Sequence, residues 1–105
     1  MSGISTHILD TAAGRPAAGI AVQLFFGGRE VGTSVTNEDG RIGALLPPGV
    51  PLSVGTYKIV FAVASHWPDG FYPEVSVTFS VKDPGSHYHV PLLISPFGFT
   101  TYRGS

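Results

Sequence analysis

Glycine and proline cut this chain into short pieces. There are 14 glycines and 9 prolines among 105 residues, and the runs between them are rich in Val, Ile, Thr, Phe and Tyr. Short β-branched and aromatic runs closed by turn residues are the pattern of an all-β sandwich or barrel. Eight strands are predicted. The first spans Ser5 to Leu9 and is closed by Asp10 and the Gly14-Arg15-Pro16 turn; the second spans Ile20 to Phe26 and ends at Gly27-Gly28. The third, Glu30 to Val35, is followed by Asn37-Glu38-Asp39-Gly40, a strong turn signal. The fourth is short, Arg41 to Leu45, before Pro47-Pro48-Gly49, and the fifth runs from Gly55 to Val63. After the irregular Ser65-His66-Trp67-Pro68-Asp69-Gly70 come the sixth, Glu74 to Val81, the seventh, Tyr88 to Ile94, and the eighth, Gly98 to Arg103. The length and the absence of an internal repeat predict one domain over residues 1–105.

Period-two alternation assigns faces to these strands. In the seventh, Tyr88, Val90, Leu92 and Ile94 share one face, and His87, His89, Pro91 and Leu93 share the other. In the sixth, Val75, Val77, Phe79 and Val81 oppose Ser76, Thr78 and Ser80. In the first, Thr6 and Ile8 oppose Ser5, His7 and Leu9. His7 and His89 therefore sit mid-strand on the face turned away from the core. A polar group there is either in water or in a site.

Composition narrows the function classes. Charged residues make up 12% of the chain, about half the usual share for a soluble domain. With 43% hydrophobic residues, oligomerisation is the simplest outlet for the apolar surface. A net charge of -1 with no basic run argues against nucleic acid. No apolar stretch reaches the length of a bilayer span. Met1-Ser2-Gly3 leads into Ile4 to Leu9 with no basic region and no cleavage pattern, so no signal peptide is expected. Cysteine is absent, which removes disulfides and thiolate metal sites. A cytoplasmic location is the expectation that fits.

Four features carry chemistry: His7, Arg41, His89 and the final Tyr102-Arg103-Gly104-Ser105. A neutral imidazole is the side chain best matched to proton transfer near neutral pH. Two imidazoles facing one cavity can share the base and acid roles. Arginine offers a planar fork for an anion or a developing oxyanion. Each has a bland alternative: a strand histidine is commonly solvated, and Arg41 after Asp39-Gly40 is equally a charge flanking a hairpin. His87 and His89 with His7 form a weaker zinc candidate, since three histidines suffice for a catalytic zinc. His66, beside Trp67 in the irregular stretch, reads as a surface residue. Phe25, Phe26, Phe97 and Phe99 read as core or interface.

The segments THILDTAAGRPAAGIAVQL, TNEDGR, FYPEVSVTF and HYHVPLLISPFGFTTYRGS resemble the transthyretin-like 5-hydroxyisourate hydrolases. The likeness runs from Ile4 to Ser105, and the closing YRGS is its most specific element. The resemblance implies a transthyretin-like sandwich of two four-stranded sheets, eight strands in all. It implies a homotetramer, a dimer of dimers with sites in channels between dimers. It implies hydrolysis of 5-hydroxyisourate to 2-oxo-4-hydroxy-4-carboxy-5-ureidoimidazoline in urate degradation, with no metal or organic cofactor. The family's first-strand histidine falls on His7, its arginine after the acidic-glycine pair on Arg41, and its histidine before V-P-L-L on His89. The terminal motif falls on Tyr102, Arg103, Gly104 and Ser105. The implied catalytic set is His7, Arg41, His89 and Ser105, and the implied substrate contacts are these four with Tyr102, Arg103 and Gly104.

Two departures stand out. The loop from Ala62 to Gly70 is shorter than the family's and contains Pro68 and Gly70, leaving at most one short helical turn between strands five and six. Phe97 and Phe99 stand where the family commonly has tyrosine. A non-catalytic transthyretin-like carrier is the alternative function, and a carbohydrate-binding sandwich a third, with Trp67 as its only aromatic platform.

Overall fold

Alternation along the chain becomes two facing sheets in the computed structural model, which describes residues 3–105. Met1 and Ser2, where the expectation of no signal peptide begins, lie outside the described residues. The strands are β1 (Gly3–Asp10), β2 (Arg15–Pro16), β3 (Ala21–Phe26), β4 (Arg29–Val35), β5 (Arg41–Ile42), β6 (Gly55–Phe61), β7 (Val75–Val81), β8 (His87–Ser95) and β9 (Gly98–Thr101). One sheet runs β4-β3-β6-β7; the other runs β2-β1-β8-β9, with β5 also paired to β1. β2 meets the C-terminal end of β1 and β5 its middle, while β8 takes the whole length of its other edge. Both sheets are thus four strands wide, an all-β sandwich as expected.

The core lies between them. Ile8, Leu24, Ile59, Phe61, Leu92 and Ile94 are all at most 1% exposed, each worth about 1.5–3 kcal/mol of burial. Polar groups drawn inside are paired. The Thr36 hydroxyl donates to Ala17 O at 2.8 Å and accepts from Ile20 N–H at 2.9 Å. The Tyr57 hydroxyl accepts from Ser53 N–H at 3.0 Å.

Several boundaries differ from expectation. The Gly14-Arg15-Pro16 turn contains the two-residue β2, so nine paired segments replace eight. The fourth predicted strand, Arg41 to Leu45, pairs only over Arg41–Ile42. Gly43 and then Pro47-Pro48, which lack amide donors, lead the chain away, although Leu45 N–H still donates to Ile4 O at 2.9 Å. The fifth ends at Phe61 rather than Val63, because Val63–Ser65 close into a 3-10 turn. That is the single helical turn the short loop was expected to allow. The eighth ends at Thr101, after which the chain returns to β8 through a bridge between Gly104 and His89.

Pairing of β1 and β8 sets the site. The two run parallel, with Gly3 opposite His87, Ser5 opposite His89 and His7 opposite Pro91. Directly opposed residues share a face. One turned-out face therefore collects Ser5, His7, His87 and His89.

Candidate active site

Arg41 joins this face through its turn. Asn37 Oδ1 accepts from Asp39 N–H at 2.9 Å and Arg41 N–H at 3.0 Å, and Asn37 O accepts from Gly40 N–H at 2.9 Å. Gly40 has φ +73°, and a Cβ there would stand 2.5 Å from Ile8 O, so only glycine brings the chain this close to β1. Gly40 O accepts from Ile8 N–H at 2.7 Å. Arg41 then lies directly opposite His7. The TNEDGR segment is thus the device that sets a guanidinium beside a first-strand histidine.

Ser5 joins the two β8 histidines. Its Oγ is 2.7 Å from His87 Nε2 and 2.7 Å from His89 Nδ1. Ser5 is 8% exposed, while His87 stands at the exposed rim. A pocket of about 250 Å³ opens here, lined by Arg41, Gly43, His87, His89 and Ser105 with Ser5 at its floor. Partial burial disfavours charge on His89, and the positive Arg41 and the rings of His7 and His87 add to it. Together they hold this imidazole below the ordinary histidine value. His7 stands beside the pocket rather than in its lining. Its Nε2 is buried and has no hydrogen-bond partner among the described residues, the mark of a group awaiting a ligand, a water or an interface.

The chain as a whole is similar to known proteins. Residues 4–104 match the HIUase/Transthyretin family. The 5-hydroxyisourate hydrolase of Ralstonia nicotianae is 43% identical over 117 residues, covering all of both chains. Among solved structures, Klebsiella pneumoniae 5-hydroxyisourate hydrolase superposes with a TM-score of 0.87 at 36% identity, covering 99% of this chain and 100% of that one. Sea bream transthyretin in complex with thyroxine follows at 0.82 and 28% identity, covering 96% and 93%. The chain belongs to the HIUase/Transthyretin family.

The terminal motif of this family member divides between two places. Gly104 N–H donates to His89 O at 2.8 Å, and Ser105 reaches the histidine pocket. Tyr102 and Arg103 line a separate cleft at the sandwich edge, with Val77, Phe79, Tyr88 and Val90. The Arg103 guanidinium stacks 4.4 Å over the Tyr88 ring and donates to His87 O at 3.4 Å. Those contacts tie the tail to β8. Phe26 packs against the core, whereas Phe97 is 77% exposed.

His66 is not the plain surface residue its loop suggested. Its Nε2 lies 2.8 Å from Oδ2 of Asp10, a carboxylate only 6% exposed, and its ring meets Trp67 edge-on. Trp67 in turn is partly buried against the core, which leaves less of its ring exposed for the carbohydrate reading. Among the described residues no three His, Asp or Glu side chains are placed to hold a metal ion; the three-histidine zinc set does not assemble. Sequence reasoning passed over Ser5. Its one visible signal was a hydroxyl two residues before His7, on the same face.

Proposed function

We propose that this chain hydrolyses 5-hydroxyisourate to 2-oxo-4-hydroxy-4-carboxy-5-ureidoimidazoline in urate degradation. The observation that carries the reading is the placing of the His89 imidazole beside the Arg41 cation in one polar pocket, where partial burial and that cation hold it below the ordinary histidine value. The 43% identity to a 5-hydroxyisourate hydrolase supports the substrate. A neutral imidazole takes a proton from water as that water attacks the six-membered-ring carbonyl carbon. Negative charge then grows on the carbonyl oxygen, where the Arg41 guanidinium offsets it. As the ring C–N bond breaks, a histidine returns the proton to the leaving nitrogen. His7, with its free Nε2, polarises the water, and Ser105 orients the substrate. His7, Arg41, His89 and Ser105 are the proposed catalytic residues. Gly104 supports substrate binding by holding the pocket wall, and Tyr102 and Arg103 contribute from the neighbouring cleft.

The proposed working form is a homotetramer of single-domain chains, a dimer of dimers, located in the cytoplasm and acting without metal or organic cofactor. Exposed Phe71, Phe97, Phe99 and Tyr102 support association. Among the described residues no helix is long and apolar enough to cross a membrane. The carrier reading calls for an apolar channel, whereas Ser5, Arg41, His87, His89 and Ser105 make this pocket polar.

The test generates 5-hydroxyisourate in the cuvette with urate oxidase and follows its near-ultraviolet absorbance against spontaneous decay. Acceleration by the wild type, reduced about 10²- to 10⁴-fold in His7→Ala, is expected. A folded protein that leaves the decay unchanged would move the function to the carrier.

A further inference from the structure

Ser5 holds one hydroxyl proton and two imidazole partners, His87 Nε2 and His89 Nδ1, each at 2.7 Å. It can donate to at most one of them, and when it does it accepts from the other. Two arrangements run through the hydroxyl in this way. In one, His89 Nδ1–H donates to Ser5 Oγ, the Ser5 hydroxyl donates to His87 Nε2, and His89 Nε2 is bare. In the other every proton has moved one place along, and His89 Nε2 carries hydrogen. The first makes His89 a base and the second makes it an acid.

We propose that Ser5 and His87 are positioning residues that form a proton relay behind His89, so that His89 serves the hydrolysis first as base and then as acid. This rests on the hydrolase reading given above. In the forward shift His89 Nε2 takes a proton from the attacking water. Its Nδ1 proton passes to Ser5 Oγ, and the Ser5 proton passes to His87 Nε2. His89 ends neutral with hydrogen on Nε2, and His87 ends as the cation. The return shift delivers the Nε2 proton to the leaving ring nitrogen and draws the other two protons back. No proton is gained or lost overall.

The placement of charges favours this direction. His89 faces Arg41 from β5, His7 and Ser5 from β1, His87 on its own strand and the tail residues Gly104 and Ser105. A positive charge on its ring would stand beside the Arg41 cation and partly out of water. His87 is exposed at the rim, where solvent stabilises a cation. The relay moves the charge outward while leaving the proton where the reaction uses it. Register makes this exact: Ser5 lies opposite His89, and His87 is two residues away on the same face.

The test compares wild type, His87→Gln, Ser5→Ala and Ser5→Thr by steady-state kinetics on 5-hydroxyisourate and by ¹⁵N NMR of the histidine rings. A glutamine at 87 can accept the Ser5 hydrogen bond but cannot take a proton. Expected for His87→Gln is a kcat about 10- to 100-fold lower with KM little changed, the range found for outer-shell partners of metal-bound histidines carried over to this hydrogen-bonded imidazole. Ser5→Ala should match it and also lose the Nδ1-protonated form of His89; Ser5→Thr should restore both. Wild-type kcat in His87→Gln, a rim variant that leaves the core untouched, overturns the relay while the hydrolase stands. A wild type that fails to hydrolyse 5-hydroxyisourate removes the hydrolase reading and the relay's catalytic role together.

Discussion

Gly104 lies so close to His89 that a Cβ on it would stand 2.5 Å from the ring's Cδ2 and 3.3 Å from Pro91 Cγ. The glycine of the terminal motif is therefore a matter of space: any side chain would tilt the imidazole off Ser5. Gly104→Ala should lower kcat by about 10²-fold, the cost of an ångström-scale misplacement, with an unchanged far-ultraviolet spectrum. Full activity would mean that the tail, not the ring, gives way. Arg41 has a second effect besides charge stabilisation. Its guanidinium helps hold His89 below the ordinary histidine value, after partial burial and together with His7 and His87. The wild type should therefore keep its activity as pH falls somewhat below that value. In Arg41→Gln a positive neighbour is gone, protonation of His89 becomes easier, and the acid limb of the kcat/KM profile should move to higher pH. A limb that stays in place would show that Arg41 does not set the proton affinity of His89.

Among the elements, the short turn after β6 is tied to β1 by the contact between His66 and Asp10. Burial opposes ionisation of Asp10, but the His66 hydrogen bond, the backbone amides of Ala13 and Ala12 and the charge of His66 outweigh it and hold the carboxyl below the ordinary aspartate value. Its stabilising contribution is present above that ordinary value and is lost as pH falls through the depressed one. His66→Ala should destabilise the fold by about 1 kcal/mol, read from denaturant midpoints at neutral pH. The same variant should leave 5-hydroxyisourate turnover near wild type, because Asp10 sits at the far end of β1 from the histidine pocket. An unchanged midpoint would make the contact incidental. The sequence marked Pro68 and Gly70 as limits on a helix here, and the turn obeys them. It did not mark His66 as the anchor, since its partner is 56 residues away in the chain.

At the scale of the molecule, both sheets end in open edges, β9 on one and β4 and β7 on the other. Unpaired edges beside exposed Phe97, Phe99 and Tyr102 are places where another chain adds on. Sedimentation equilibrium should return the mass of four chains at micromolar concentration. A monomer with full hydrolase activity would place the whole site within one chain and overturn the assembly proposed above. The buried Nε2 of His7, unpaired among the described residues, belongs to this scale as well, since a polar atom left without a partner there is one that an interface or a substrate would satisfy.

Strand content and strand faces were legible in the sequence because both are local. Turns rich in Gly and Pro delimit the runs, and alternation alone sent Leu92 and Ile94 inward and His7 and His89 outward. The candidate residues His7, Arg41 and His89 were legible too, the histidines from their faces and all three from the family motifs. What the sequence could not decide was which strands meet. Pairing in a sheet depends on contacts between distant segments, and nothing near Ser5 in the chain announces His89, 84 residues later. Only the parallel register of β1 on β8 brings that hydroxyl between two imidazoles, and only the turn ending at Gly40 sets Arg41 beside them. The sequence by itself determined the side chains and the faces they occupy; the tertiary structure decided their neighbours, because a sheet is built from contacts between segments far apart in the chain.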